Sequence, residues 1–118
     1  MIIKKLSDIK KNLLKAVNDY SKIAILTHKN PDGDGFPACL ALQEILLHQN
    51  INSDVILEDE PSEIYDFLDG FKRAKALSEY MIYDLLIILD CHEVERIGSC
   101  ELLIPTAKKI IAIDHHIL

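Results

Sequence analysis

Three short apolar runs, each ending in acids and histidines, constrain this chain more than any other feature. Lys22-Ile23-Ala24-Ile25-Leu26 leads into Thr27-His28-Lys29-Asn30-Pro31-Asp32-Gly33-Asp34-Gly35. Leu85–Leu89 leads into Asp90-Cys91-His92, and Lys109–Ile113 leads into Asp114-His115-His116. Continuous runs of strand-forming residues without polar alternation suit strands buried on both faces, as in a parallel sheet covered by helices. Ligands of open α/β sheets bind beyond the carboxyl ends of the strands. Three separate segments therefore deliver carboxylates and imidazoles to one edge.

The intervening segments fit this architecture. Leu6, Ile9, Leu13, Leu14 and Val17 fall on one face of a helix over Leu6–Tyr20, with Lys10, Lys11 and Lys15 largely opposite. Ser7 is a weak cap for it, because Lys10 stands where a capping box prefers Glu. Phe36–His48 reads as a second helix, with Pro37 in its first turn, where a missing N–H does no harm. Val55–Leu57 reads as a strand ending in the acidic loop Glu58-Asp59-Glu60-Pro61. A short helix over Ser62–Leu68, a minor strand at Ala74–Leu77 and a helix over Val94–Leu103 complete the pattern. The fold class is α/β, with a mainly parallel sheet flanked by helices.

The 118 residues suffice for one domain, 1–118, with a real core. No stretch reaches the length of a membrane span, and Met1-Ile2-Ile3-Lys4-Lys5 lacks a signal peptide's apolar core. A soluble cytoplasmic protein without a membrane partner is expected. Cys39, Cys91 and Cys100 are an odd number without CxxC spacing, which suits reduced, buried thiols. A net charge of -6 argues against a surface that grips duplex nucleic acid, but leaves room for a small phosphorylated substrate. Divalent cations would reverse the sign of an acidic pocket.

Carboxylates and imidazoles without paired thiolates suit hard or borderline ions such as manganese or magnesium. Two such ions can generate hydroxide and clamp the attacking and leaving oxygens of a phosphoryl group. Gly33 and Gly35 allow a tight turn, so that Asp32 and Asp34 can face neighbouring sites. A calcium loop fails by inspection. Counted from Asn30, position twelve is Ala41 instead of a bidentate Glu; counted from Asp32, position five is Phe36. Taken singly, Asp90 could begin a turn and His115-His116 could be surface histidines, but their coincidence at matching strand ends favours a site.

These segments resemble the motifs of the DHH phosphoesterases. Thr27–Gly35 is similar to the first motif, a His followed by Asn-Pro-Asp-Gly-Asp, and Asp90 in Leu-Asp-Cys-His-Glu-Val-Glu-Arg-Ile-Gly to the second. Asp114-His115-His116 resembles the triplet that names the family. The resemblance implies that His28 and Asp32 bind one metal, that Asp34 and His115 bind another, and that Asp90 bridges both. It implies further that Asp114 orients the histidines and that His116 contacts the scissile phosphate or assists proton transfer. Two divalent ions, manganese or magnesium, are the implied cofactors.

Two departures stand out. Gly35-Phe36-Pro37-Ala38 replace a small residue, an apolar one and Gly-Ser, a change that bears more on substrate than on metal. The chain also stops two residues after His116, whereas family members supply a fourth-motif Asp and a smaller substrate domain further along. A truncated domain with exposed apolar surface, and hence self-association as a homodimer, is expected.

Within the family, Asn-Pro-Asp-Gly-Asp and Glu95-Arg96-Ile97-Gly98 look most like the oligoribonuclease and adenosine-bisphosphate phosphatase group, whose substrates are short single-stranded RNA and small nucleotide phosphates. Exopolyphosphatases, manganese pyrophosphatases and RecJ-type exonucleases share the chemistry. Arg96 is a candidate phosphate contact set against a solvated arginine at a helix start. Glu58, Asp59 and Glu60 read as a solvated acidic loop, His92 as structural and His48 as a helix end without chemical role. The competing readings are a catalytically silent nucleotide- or metal-binding module and a receiver-like domain phosphorylated at Asp90. The histidines argue against the receiver.

Overall fold

The computed structural model describes residues 6–28, 35–78, 81–90 and 94–113, and side chains from Lys10 onward within these, Val94–Arg96 excepted. Helix α1 (Leu6–Asp19) precedes β1 (Ile23–Leu26), and α2 (Gly35–His48) precedes β2 (Asp54–Leu57). Two 3₁₀ turns, Glu63–Tyr65 and Phe71–Arg73, lead to the two-residue β3 (Lys75–Ala76). Next come β4 (Leu85–Leu89), a 3₁₀ segment Val94–Thr106 and β5 (Lys109–Ile113). The anticipated α/β class is therefore the observed one.

The five strands form one sheet in the order β3-β2-β1-β4-β5, with every pairing parallel. The chain winds outward from β1 through β2 to β3, then crosses to the other side of β1 for β4 and β5. The reversal occurs between β1 and β4. Such a switch point splays the connections leaving two neighbouring strands and opens a crevice at their carboxyl ends.

Strand alternation divides the core into two layers. Ile23 and Ile25 of β1 pack with Val17, Phe36, Cys39, Leu40, Leu85 and Ile87 beneath the two α-helices. Ala24 and Leu26 point the other way, onto Leu86, Ile88, Ile97, Cys100 and Leu103 beneath the 3₁₀ segment. Every residue of β1 and β4 is buried, as expected of strands covered on both faces. Ile45, Ile64, Phe67 and Leu102 remain exposed. No helix among the described residues is long and apolar enough to cross a membrane.

Two expected α-helices differ in kind. Over Ser62–Leu68 only Glu63–Tyr65 is helical, as a 3₁₀ turn whose Ile64 N–H donates to the Ser62 hydroxyl at 3.4 Å. Val94–Thr106 consists of two 3₁₀ pieces broken at Gly98, whose φ of 63° and ψ of -137° belong to no helix. Pro105 lies within the segment and supplies no amide hydrogen.

The acidic loop also differs from its solvated reading. Asp59 and Glu60 are exposed, but Glu58 is half-buried. Its Oε1 accepts from the Ser99 backbone N–H at 3.1 Å and from the Ser99 hydroxyl at 3.0 Å. A Cβ on Gly98 would meet the Glu58 carboxylate at 2.7–2.9 Å. Glycine at 98 thus satisfies a positive φ and a close approach together. Through this contact the end of β2 is tied to the segment after β4.

Gly98→Ala is expected to lower stability by about 1–3 kcal/mol in urea denaturation, because it forces a left-handed backbone on a Cβ and displaces Glu58. Ile25→Ala, at a fully buried position of the central strand, is expected to cost about 2–5 kcal/mol. Phe67→Ala, on the surface, should remain within about 0.5 kcal/mol of the parent.

Candidate metal centre

The register of the sheet sets three polar residues in a row. β1 and β4 pair Leu26 with Ile88, so the same offset places His28 level with Asp90. β1 and β2 pair Ile25 with Val55, an offset that carries Glu58 to the level of His28. The row Glu58, His28, Asp90 runs across the carboxyl edge and spans the switch point.

His28 Nε2 lies 3.6 Å from Asp90 Oδ2, with the two side chains 14% and 15% exposed. That separation is too long for a good hydrogen bond. It suits two ligands of one small divalent ion, since donors about 2.1 Å from a shared centre stand roughly 3–4 Å apart. Asp90 has a φ of 59°, in the left-handed region that Asp enters more readily than most residues. Its N–H donates to the Ile113 carbonyl at 2.9 Å, extending the β4–β5 ladder to the last residue of β5.

Gly35, the first residue of α2, borders the same space. A Cβ there would fall 2.8 Å from Thr27 Oγ1 and 3.2 Å from His28 Nε2, so the missing side chain keeps room beside the imidazole. Its importance lies in this clearance as much as in turn geometry. The approach also brings the amino end of a 14-residue helix, with its outward N–H groups, to the edge.

The donor chemistry is consistent with a hard or borderline ion. Burial pushes the Cys39 thiol up to about 12, and the negative charge of Asp90 adds to the effect. Both effects favour the neutral thiol over the thiolate. Burial likewise raises Cys100 to about 11, with Glu58 and Asp59 adding to the shift. Both cysteines are free and buried, as their sequence context suggested. Cys91 and His92 lie outside the described residues.

The structure brings together only part of the set anticipated from the sequence. His28 and Asp90 face each other; Asp32, Asp34, Asp114, His115 and His116 lie outside the described residues. Arg96 lies in the 3₁₀ segment, and its side chain is not among those described. Among the described residues no group of three or more His, Cys, Asp or Glu side chains is gathered as a metal site. Sequence reasoning passed over Thr27, whose hydroxyl is buried at this edge, and assigned Glu58 to a solvated loop. Neither carries a residue-level signal, although Glu58 shares with His28 and Asp90 the position just beyond a strand.

Recesses lie at both ends of the sheet. At the carboxyl end of β2, a cleft of about 220 Å³ is lined by Phe36, Leu57, Glu58, Asp59, Glu60, Pro61, Ser62 and Tyr65. Phe36 and Tyr65 meet edge to face with centroids 5.4 Å apart, giving it an aromatic wall. It adjoins the His28 region through the Gly35-Phe36 peptide. A larger recess of about 310 Å³ lies at the amino ends, by Lys22, Asp54 and Tyr83. There Asp54 engages two partners. The Tyr83 hydroxyl donates to Asp54 Oδ2 at 2.7 Å, and Lys75 Nζ pairs with Asp54 Oδ1 at 3.2 Å. Burial and the bond to Asp54 both raise the Tyr83 pKa. His48, at the end of α2, is exposed and bonded to Glu44 at 3.1 Å.

Known proteins resemble this chain in fold and sequence. The exopolyphosphatase-related protein of Bacteroides fragilis, known as a crystal structure, matches with a TM-score of 0.82 at 24% identity. That match covers 98% of this chain and 37% of the other, and speaks for the fold. The bifunctional oligoribonuclease and PAP phosphatase NrnA of Mycoplasma genitalium is 29% identical over 108 residues, covering 87% of this chain and 33% of that protein. The chain thus spans about a third of the length of these relatives. The model of the DHH family's N-terminal domain matches residues 22–118, which takes in all five strands and the three strand-end segments. The chain belongs to the DHH family.

Proposed function

We propose that this domain is the metal-binding half of a phosphoesterase that hydrolyses short single-stranded oligoribonucleotides or small nucleotide phosphates with two divalent ions, manganese or magnesium. The observation that carries the reading is the 3.6 Å approach of His28 and Asp90 at the switch point. The similarity to the Mycoplasma genitalium oligoribonuclease and PAP phosphatase supports the substrate class.

In this reading His28 and Asp32 would hold one ion and Asp34 and His115 the other, with Asp90 contributing to both. Asp114 would orient the histidines. His116 would contact the scissile phosphate. When bound, the ions supply an activated water and neutralise the phosphate charge. The amino end of α2 adds N–H donors on the side of the anion. The carboxylates of the neighbouring cleft accept hydrogen bonds from the hydroxyl and amino groups of a nucleoside, and their charge keeps further phosphates out. In a protein as long as the relatives, about three times this length, a further part would complete the substrate contacts. The exposed Ile45, Ile64, Phe67 and Leu102 are candidates for contact with such a part or with a second copy.

Manganese titration by calorimetry tests the centre. The expected result is two sites in the parent, neither of them in Asp90→Asn, and both retained in Asp59→Asn, whose carboxylate is exposed in the loop after β2. Equal loss in the two variants would remove the assignment. Metal binding without manganese-dependent hydrolysis of a dinucleotide or of 3′-phosphoadenosine 5′-phosphate in the full-length protein would make the domain a silent binding module.

A further inference from the structure

Thr27 stands between the last residue of β1 and His28. It is 4% exposed, and its Oγ1 is shut off from solvent with no hydrogen-bond partner among the described residues. A buried hydroxyl in that state has lost its water hydrogen bonds and gained nothing in exchange. A methyl group of the same shape would avoid the penalty, so the hydroxyl calls for an explanation.

Gln43 and Ser53 also carry buried oxygens without partners. They belong to one local contact, in which Gln43 Nε2 donates to the Ser53 carbonyl at 2.9 Å, just before the amino end of β2. Thr27 stands at the opposite, carboxyl edge. The vacant Cβ position of Gly35 lies 2.8 Å from Thr27 Oγ1 and 3.2 Å from His28 Nε2. The hydroxyl and the imidazole nitrogen thus converge on one small space, and the residue bordering it has no side chain to fill it.

We infer that Thr27 is a positioning residue of the divalent-metal centre, its hydroxyl donating to an oxygen of the ligand set around the ion that His28 and Asp90 hold. The inference rests on the reading of those two residues as metal ligands. Manganese and magnesium take mostly oxygen ligands, and a carboxylate or water oxygen accepts a bond from a hydroxyl. An acceptor arriving with the ion would take up the donor that no described residue engages. Bonds of this kind fix the orientation of a ligand, and their removal typically weakens metal binding about 10–100-fold.

The test pairs manganese calorimetry with thermal denaturation of the metal-free chain for the parent, Thr27→Val and Thr27→Ser. Thr27→Val should weaken manganese binding by about tenfold or more, while its metal-free melting midpoint holds level or rises. Thr27→Ser keeps the hydroxyl and should keep the parent's affinity. The opposed signs in the valine variant separate positioning from packing. If Thr27→Val binds manganese as the parent does, or loses affinity and midpoint together, the inference is overturned. If the parent itself binds no manganese, the assignment of His28 and Asp90 fails, and this inference fails with it.

Discussion

The arrangement of the edge depends on β1 lying between β2 and β4 in a sheet with every pairing parallel. A parallel strand buried on both faces cannot shift its register by one residue, because that exchanges the side chains of its two core layers. Ile23 and Ile25 belong to one layer and Ala24 and Leu26 to the other. A slip would drive isoleucines into space shaped for alanine. The packing of four residues therefore decides where Thr27 and His28 emerge, and the pairing of Leu26 with Ile88 decides that Asp90 emerges opposite. The polar edge inherits its geometry from the apolar core.

Local departures from regular structure then adjust what the register delivers. Asp90 takes a positive φ immediately after β4, which turns the chain away from the strand direction while its N–H still bonds to Ile113. Gly35 lets the start of α2 come close to the imidazole of His28. Gly98 lets the segment after β4 receive the Glu58 carboxylate from the end of β2. Each departure uses a residue type suited to it, and each lies at the carboxyl edge, where a rigid sheet gives way to chain that must be shaped for binding.

Much of this was legible in the sequence because strands and ligands share a simple grammar. Runs such as Leu85–Leu89 are too continuously apolar for an exposed strand and too short for a membrane span, so a buried parallel strand was the remaining solution. Residues immediately after such a run fall at a sheet edge, and His28 and Asp90 were found that way. The strand order was not legible, since nothing in the residues of β4 says on which side of β1 it will pair. The 3₁₀ character of Val94–Thr106 was hidden by an apolar spacing that fits a helix. The requirement at Gly98 comes from Glu58, 40 residues earlier in the chain and invisible to any local window. Thr27 reads as an ordinary strand former, and only its burial without a partner distinguishes it.

Charge supplies the last link between this edge and the proposed chemistry. The chain carries a net charge of -6, and Glu58, Asp59 and Glu60 line the cleft beside His28 and Asp90. A phosphate approaching that surface alone would meet repulsion at short range, where the intervening protein screens poorly. Divalent ions held between the carboxylates would reverse the sign of the field within a few ångströms and leave the outer carboxylates to accept hydroxyl and amino hydrogens. The acidic character that counts against a nucleic-acid surface thus becomes an advantage in the proposed two-metal site. It would draw the cations, whose charge would in turn favour the phosphate.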